Sequence, residues 1–364
     1  METIQRVPDA AVPPRVPHRV RVMVVDDSAL MRRLLADVLA TDPLIHVVGN
    51  ASSGDLALQQ ISQLRPDVIT LDVEMPGLDG IETLKKIRSL HPAIRVVMLS
   101  SLTARGAPAT LKALMHGASD YVAKPSSAES AEHALDYLRR ELLPRVRQFA
   151  PFDRNRAATP QRSIPVGNSP ARQPRALVIG ISTGGPQALA EIIPAIPAGF
   201  PLPILIVQHM PPVFTKLLAQ RLCDSAKIRV EEAVQGRVVE PGVALIAPGG
   251  QHMTVKRQTG AVIAALDEGP PENSCRPAAD VLFRSAAEVW GGQVLAAVLT
   301  GMGQDGLRGC EILKRKGASI LAQDEASSIV WGMPGAIAHA GLADEIVNLS
   351  QFVPTVLRRI GFHS

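Results

Sequence analysis

The chain has 364 residues, of which 46% are hydrophobic and 20% charged, and its net charge at pH 7 is +4. This composition is typical of a globular protein with about two domains. It excludes a membrane-spanning protein, because no apolar run approaches the ~18–20 residues that cross a bilayer. The three cysteines are far apart and odd in number, which favours a reducing, cytoplasmic compartment over a disulfide framework or a metal-binding motif.

The first 19 residues contain four prolines and no apolar stretch, which predicts a disordered tail rather than a signal peptide. Short β-branched segments then alternate with helical stretches, a pattern typical of parallel α/β sheets. Ser28 is expected to cap the first helix. The strands predicted within this first domain, 20–140, are Val20–Val25, His46–Asn50, Val68–Leu71, Val96–Leu99 and Tyr121–Ala123.

Polar side chains follow these strands at their carboxyl ends. Asp26 and Asp27 follow the first strand, Asp72 the third, Ser100 the fourth and Lys124 the fifth. Two carboxylates ~5 Å apart repel by about 3 kcal/mol at an effective dielectric of ~20. The three acids therefore predict a divalent cation, and oxygen ligands favour Mg²⁺. Asp72 is central enough to attack a phosphoryl group. The alternative is that these residues are only strand-end caps and solvated loop acids. That interpretation fits any one of them better than it fits all five at matching strand ends.

This half resembles the response-regulator receiver domain. The motifs that carry the resemblance are Val24-Val25-Asp26-Asp27-Ser28, Leu71-Asp72-Val73-Glu74-Met75-Pro76, Asp79-Gly80 and Lys124-Pro125. The resemblance implies that Asp72 takes phosphate from a histidine kinase. It also implies that Ser100, Tyr121 and Lys124 take part in the conformational switch. A cis bond between Lys124 and Pro125 is a further expectation.

A basic, proline-rich segment follows the first domain. Between Arg145 and Arg175 there are seven arginines and a single acid, Asp153, and no apolar periodicity. We predict a flexible linker over 141–174 that carries the excess positive charge of the chain. Elsewhere there is neither a helix-turn-helix pattern nor an aromatic-basic pattern, so nucleic acid is not an expected partner.

The second half, 175–364, is predicted to be a doubly wound, mainly parallel α/β domain. Its predicted strands include Ala176–Ile181, Ile204–Val207, Val243–Ala247 and Leu295–Leu299. The first strand runs into Gly180-Ile181-Ser182-Thr183-Gly184, which fits the G-x-S-x-G turn that exposes a nucleophilic serine. A glycine-rich turn whose serine only caps the next helix is the alternative.

Ser182, His209 and Asp305 each follow a predicted buried strand and could serve as nucleophile, general base and orienting carboxylate. Their chain order differs from the Ser-Asp-His order of α/β-hydrolases, which indicates a different fold. Backbone N–H groups near Met302 could hold an oxyanion, and one such donor typically contributes about 3 kcal/mol.

Cys275 offers a rival thiol nucleophile, although only Arg276 lies nearby in sequence to activate it. A helix start at Pro277, with Arg276 meeting the substrate or a backbone carbonyl, is the competing interpretation.

This half resembles the CheB family, the protein-glutamate methylesterases of bacterial chemotaxis. The residues that carry the resemblance are Ser182–Pro186, Gln208–Met210, Cys275–Pro277 with Asp280, Gly301–Gly306, Ala322–Ser327 and Gly332–Pro334. The resemblance implies that Ser182, His209 and Asp305 are catalytic, that the Met302 N–H is an oxyanion donor, and that Thr183 lines the site.

The implied activity is removal of methyl esters from glutamates of chemoreceptors, activated by phosphorylation of the receiver. A site that cleaves a glutamyl ester could also cleave a glutaminyl amide, although the amide has the harder leaving group. The implied partners are methylated chemoreceptors and a chemotaxis histidine kinase, and the esterase site needs no cofactor. We expect a cytoplasmic monomer without membrane insertion.

Two other classes of function compete with this reading. A nucleotide-binding output domain could use the Gly184-Gly185 turn to cradle phosphates, but Gln208-His209 ends the second strand where a ribose-binding acid is usual. The chain also lacks a P-loop lysine motif. A DNA-binding response regulator is the third possibility, and the second half does not resemble one.

Overall fold

The structure is a computed structural model that describes residues 19–101, 106–125, 131–150 and 173–362. The predicted tail and most of the predicted linker lie outside these ranges. The N-terminal domain is the expected (βα)5 unit, with five parallel strands in the order β2-β1-β3-β4-β5. Its elements are β1 Val20–Val25, α1 Ala29–Ala40, β2 Ile45–Ala51, α2 Gly54–Leu64, β3 Val68–Asp72, α3 Gly80–Leu90, β4 Arg95–Ser100, α4 Gly106–Met115, β5 Asp120–Ala123 and α5 Ala131–Arg147.

Side-chain caps start the first three helices of this domain. Ser28, Ser53 and Asp79 each accept a hydrogen bond from a backbone N–H in the first turn of α1, α2 and α3 respectively. These residues satisfy donors that have no partner within the helix. Ser28 of the Asp26-Asp27-Ser28 motif and Asp79 of the Asp79-Gly80 motif therefore mark the starts of α1 and α3.

The linker boundary predicted at residue 141 is wrong, because α5 continues to Arg147. The continuation has a packing cause. Leu138, Leu142 and Val146 recur at helical spacing and are fully buried against the first domain. Arg147 also forms an ion pair with Asp42 at the end of α1.

The C-terminal domain contains seven parallel strands in the order β14-β13-β12-β6-β7-β9-β8 and a separate antiparallel hairpin, β10-β11. Its strands are β6 Ala176–Ile181, β7 Ile204–Gln208, β8 Arg229–Glu232, β9 Val243–Ile246, β10 His252–Gln258, β11 Ala261–Asp267, β12 Val294–Val298, β13 Ser319–Gln323 and β14 Glu345–Val347. Its helices are α6 Gly185–Ala195, α7 Pro212–Ser225, α8 Ala279–Trp290, α9 Leu307–Arg315, α10 Met333–His339 and α11 Leu349–Arg359.

The position of β6 creates the crevice that holds the candidate site. β7, the next strand in the chain, pairs with one edge of β6, and β12, which comes later in the chain, pairs with the other edge of β6. In open α/β sheets, ligands bind outside the carboxyl ends of strands at such a reversal. The loops after β6, β7 and β12 therefore meet at one edge.

The two domains pack against each other through α4, which contacts both α6 and α7. Apolar side chains from both domains form one continuous core cluster across this boundary. At its edge the rings of Tyr121 and Phe214 lie 4.9 Å apart between centroids. Within the described ranges, none of the helices has both the length and the apolar character needed to cross a membrane.

Candidate active site

The acidic cluster of the first domain forms as expected. Ligand oxygens of Asp26, Asp27 and Asp72 all lie within 4.8 Å of one another. Lys124 Nζ lies 2.8 Å from Asp26 Oδ2 and 2.6 Å from Asp72 Oδ2. Burial raises the pKa of Asp72 to about 6, while Lys124 opposes the rise and the charge of Asp26 adds to it. Three carboxylates in this arrangement fit a hard divalent cation, which would offset their repulsion.

Ser100 and Tyr121, the two other predicted switch residues, contact α4 and the second domain respectively. The buried Ser100 hydroxyl is hydrogen-bonded to Thr110 on α4. Tyr121 lies on β5 and packs on Phe214 of the second domain, and burial raises the pKa of its phenol. The Lys124–Pro125 bond is not cis; the cis peptide bond of the described residues is Arg276–Pro277.

The serine turn of the second domain depends on close backbone approach. Gly185 N–H donates to the Ser182 carbonyl at 2.8 Å, and Ser182 N–H donates to the Thr300 carbonyl at 2.9 Å. A Cβ at Gly301 would lie 2.7 Å from the Ser182 Cβ. Only glycine therefore allows the loop after β12 to pass this close to the serine. The next residue, Met302, is thereby brought to the nucleophile.

His209 and Asp305 form a hydrogen-bonded pair. His209 Nε2 lies 2.7 Å from Asp305 Oδ2. The backbone N–H groups of Ala279, Asp280 and Gly306 also donate to this carboxylate, at 2.6, 3.1 and 3.0 Å. Burial alone would raise the pKa of Asp305, but His209 and the backbone N–H groups of Ala279 and Asp280 hold it below its usual value. Asp305 is therefore kept as an anion that can orient an imidazole.

The other ring nitrogen of His209 faces a thiol. Nδ1 lies 3.5 Å from Cys275 Sγ, and Ser182 Oγ has no hydrogen bond to any described residue. Burial alone would lower the pKa of His209, but its contacts with Asp305 and Cys275 outweigh this and raise it to about 9. The structure thus joins His209 to Asp305 and leaves the Ser182–His209 bond unformed.

The predicted oxyanion and substrate residues, Met302, Thr183 and Arg276, have different surroundings. Met302 is 47% exposed beside Ser182, and within the described chain its backbone N–H has no acceptor. Thr183 Oγ1 donates to Asp120 Oδ2 of the first domain at 3.0 Å. Arg276 Nη1 donates to the carbonyls of Glu268 and Gly269, at 2.7 and 2.9 Å. These bonds favour the backbone-carbonyl role of Arg276 over the substrate role, and α8 begins at Ala279 rather than Pro277.

Sequence reasoning did not assign roles to three residues that shape this site. Gln208 Nε2 donates to the Ser182 carbonyl at 3.0 Å, and its position directly before His209 was the available signal. Asn273 Nδ2 donates to Asp305 Oδ1 at 2.9 Å from a turn distant in sequence, for which no local signal exists. Asp120 reaches Thr183 only because the two domains are docked.

Comparison with known proteins agrees with this geometry. The CheB methylesterase family matches residues 177–356, and the response regulator receiver domain family matches residues 22–136. Proteins named protein-glutamate methylesterase/protein-glutamine glutaminase align over nearly the whole chain. The one from Trichodesmium erythraeum (strain IMS101) is 47% identical and covers 94% of this chain and 99% of its own length. The one from Nocardioides sp. (strain ATCC BAA-499 / JS614) is 46% identical and covers 94% and 95%.

A solved structure also matches the second domain. The crystal structure of the Thermotoga maritima CheB methylesterase catalytic domain is 41% identical, with a TM-score of 0.50, and covers 51% of this chain and 99% of its own. The match confirms the predicted α/β fold of the esterase half. Because the relatives align over both domains, they share the same order of receiver and esterase domains. The chain therefore belongs to the CheB methylesterase family and carries a response regulator receiver domain in front of its esterase domain.

Proposed function

We propose that the second domain hydrolyses the methyl esters of glutamate side chains on chemoreceptors by a serine mechanism. The observation that carries the proposal is the convergence of Ser182, the His209–Asp305 pair and the unpaired Met302 N–H at one sheet edge. These are the parts that acyl transfer requires: a nucleophile, an oriented base and an oxyanion donor.

The proposed steps use only these residues and water. His209 Nδ1 takes the proton of Ser182 Oγ as the oxygen attacks the ester carbonyl, and the Met302 N–H donates to the oxyanion. The C–O bond breaks, and His209 returns the proton to the departing methoxide, which leaves as methanol. Water then hydrolyses the acyl-enzyme by the same route. For the first step Ser182 replaces Cys275 as the partner of Nδ1.

Receptor membranes that carry both glutamate methyl esters and glutamines test this assignment. We expect the protein to release methanol from the esters. A failure to release methanol, combined with saturable binding of NAD or ATP, would favour the nucleotide-binding alternative instead.

We also propose that the site deamidates receptor glutamines, because the relatives carry both activities in their names. The same acyl-enzyme forms from an amide, but ammonia is a poorer leaving group than methanol, so deamidation should be slower. Peptide mass spectrometry of unmethylated receptor should show conversion of specific glutamines to glutamates. If esters are cleaved and no glutamine is converted, the second activity is rejected.

The pH dependence of ester hydrolysis follows from the raised pKa of His209. The base acts only when neutral, so activity should rise with pH, reach half of its maximum at about pH 9 and level off above that. Cys275→Ala removes one contact that raises this pKa, so the rise should move to lower pH. Cys223→Ala, a half-buried cysteine on α7 without contact to the pair, serves as the control. An unchanged profile in Cys275→Ala would contradict this account of the pKa.

We propose that the first domain controls this site. Asp72 takes a phosphoryl group from a chemotaxis histidine kinase, with Mg²⁺ held by Asp26, Asp27 and Asp72 to neutralise phosphoryl charge. Without phosphate, the receiver covers the serine turn. The support is the Asp120–Thr183 hydrogen bond, one residue from Ser182, and the packing of α4 on α6 and α7.

The route from phosphate to interface is short. Ser100 is the last residue of β4, next to Leu99, which pairs with Asp72 on β3. Its hydroxyl is hydrogen-bonded to Thr110 on α4, the helix that contacts the second domain. A phosphoryl group that draws Ser100 towards itself would weaken this bond and displace α4.

We place the protein in the cytoplasm, as a monomer whose regulation is intramolecular.

A further inference from the structure

A tight turn lies against both members of the His209–Asp305 pair. Glu272 N–H donates to the Cys275 carbonyl at 3.0 Å, and Cys275 N–H donates back to the Glu272 carbonyl at 2.9 Å. Asn273 and Ser274 between them have φ of 51° and 62°. Two left-handed central residues define a type I′ turn, and asparagine tolerates that conformation better than most residues.

Side chains of this turn contact the pair at two points. Asn273 Nδ2 donates to Asp305 Oδ1 at 2.9 Å, while Asp305 Oδ2 accepts from His209. Cys275 Sγ lies against His209 Nδ1. The Asn273 amide is therefore the side-chain donor to the carboxylate oxygen that His209 does not use, beside the backbone N–H groups of Asp280 and Gly306, and it helps to set the plane of the carboxylate.

The same amide nitrogen separates two acids. Asn273 Nδ2 also donates to Asp280 Oδ2 at 2.9 Å, so Asp280 and Asp305 share one donor. Burial raises the pKa of Asp280, and the charge of Asp305 adds to the rise. Loss of the shared amide would leave the two carboxylates facing each other with less compensation.

The turn is anchored on α8. The two terminal guanidinium nitrogens of Arg284, Nη1 and Nη2, donate to Glu272 Oε1 and Oε2 respectively, each at 2.6 Å, and so form a bidentate pair. Asp280 belongs to the first turn of the same helix. Helix α8 therefore holds Glu272 at the start of the turn through Arg284, and it also carries Asp280, the second acceptor of the Asn273 amide.

Resting on the proposed esterase function, we infer that Asn273 is a positioning residue for catalysis. Its amide holds the Asp305 carboxylate in the plane that orients His209 Nε2, and so presents Nδ1 towards the nucleophile. Asn273 touches no reacting atom in this account. It acts through Asp305, and the Glu272–Arg284 pair holds the turn in place.

Asn273→Gly is the variant that tests the inference. Glycine keeps the left-handed backbone without strain and removes only the amide. Asn273 is exposed on its outer side, so the change leaves no buried cavity. We expect kcat for ester hydrolysis by the phosphodonor-treated full chain to fall roughly tenfold with KM unchanged, as for loss of a hydrogen bond to a charged group. The control is Ser274→Gly, in which the other left-handed residue of the turn changes and no described side-chain hydrogen bond is lost.

A readout independent of activity is the pKa of the His209 imidazole, measured by NMR in the full chain. Loss of the amide changes both the orientation and the charge density of the carboxylate that meets Nε2, so this pKa should shift in Asn273→Gly and stay unchanged in Ser274→Gly. If Asn273→Gly matches Ser274→Gly in both kcat and the His209 pKa, the positioning role is wrong while the esterase function stands. If the wild type releases no methanol but the pKa shift is present, the esterase proposal fails and the geometric role remains.

Discussion

Ser182→Ala should reduce methanol release by a factor on the order of 10⁴–10⁶, because the acyl-enzyme can no longer form. Removal of the hydroxyl disturbs little else. The backbone contacts of Ser182 with Thr300, Gly185 and Gln208 do not involve the side chain. The fold should therefore be retained, as checked by circular dichroism and thermal unfolding.

His209→Gln should be nearly as severe, because it removes the general base that takes the Ser182 proton. Asp305→Asn should cost about 10⁴-fold in kcat. The cause is visible in the structure: Asp305 accepts from three backbone N–H groups and from Asn273, so an amide NH₂ would face donors on at least one side.

Cys275→Ala is the matched control for the nucleophile. Cys275 contacts the same histidine as the proposed serine mechanism uses, but it should be dispensable for turnover. Near-normal methanol release by Ser182→Ala together with inactivity of Cys275→Ala would overturn the serine mechanism. Cys275, His209 and Asp305 would then form the catalytic set.

Removal of the receiver should activate the esterase. A fragment beginning near Arg172 should be about 5- to 150-fold faster than the unphosphorylated full chain, the range of coupling free energies of 1–3 kcal/mol. Methanol release at matched concentrations measures the difference.

Variants of the full chain test whether the receiver acts by covering the serine turn or controls the esterase in another way. Asp72→Asn should hold the full chain at basal activity whatever phosphodonor is added. Asp120→Ala should raise basal activity, because it removes the acceptor of Thr183. Asp37→Asn, an exposed acid on α1 away from the interface, is its control. A fragment no faster than the unphosphorylated chain would show instead that the receiver is a positive activator or a docking module.

The strand ends were predictable because residue type and position agree there. Asp26, Asp72 and Lys124 follow β-branched segments in the first domain, and Ser182 and His209 follow comparable ones in the second. The segments that became β8, β10, β11, β13 and β14 were not assigned with any certainty. Polar or short strands such as Arg229–Glu232 and Glu345–Val347 have little hydrophobic periodicity, since they lie at the edges of the sheet.

Contacts between distant segments could not be predicted. Asn273 reaches Asp305 across 32 residues, and Asp120 reaches Thr183 across 63, through the docking of two folded domains. Neither pairing has a periodicity or motif of its own. The linker boundary was misplaced for a related reason: the arginine content of 141–147 suggested solvent, while Leu142 and Val146 are buried by tertiary packing.

Control of the esterase by its receiver is tested by methanol release from methylated receptor membranes, measured with the full chain before and after addition of a small-molecule phosphodonor with Mg²⁺. We expect a low basal rate that rises on phosphorylation in the wild type, stays low in Asp72→Asn, and is lost in Ser182→Ala under both conditions. A rate that is undetectable in the phosphorylated wild type, or unchanged by Ser182→Ala, would contradict a serine esterase controlled by its receiver.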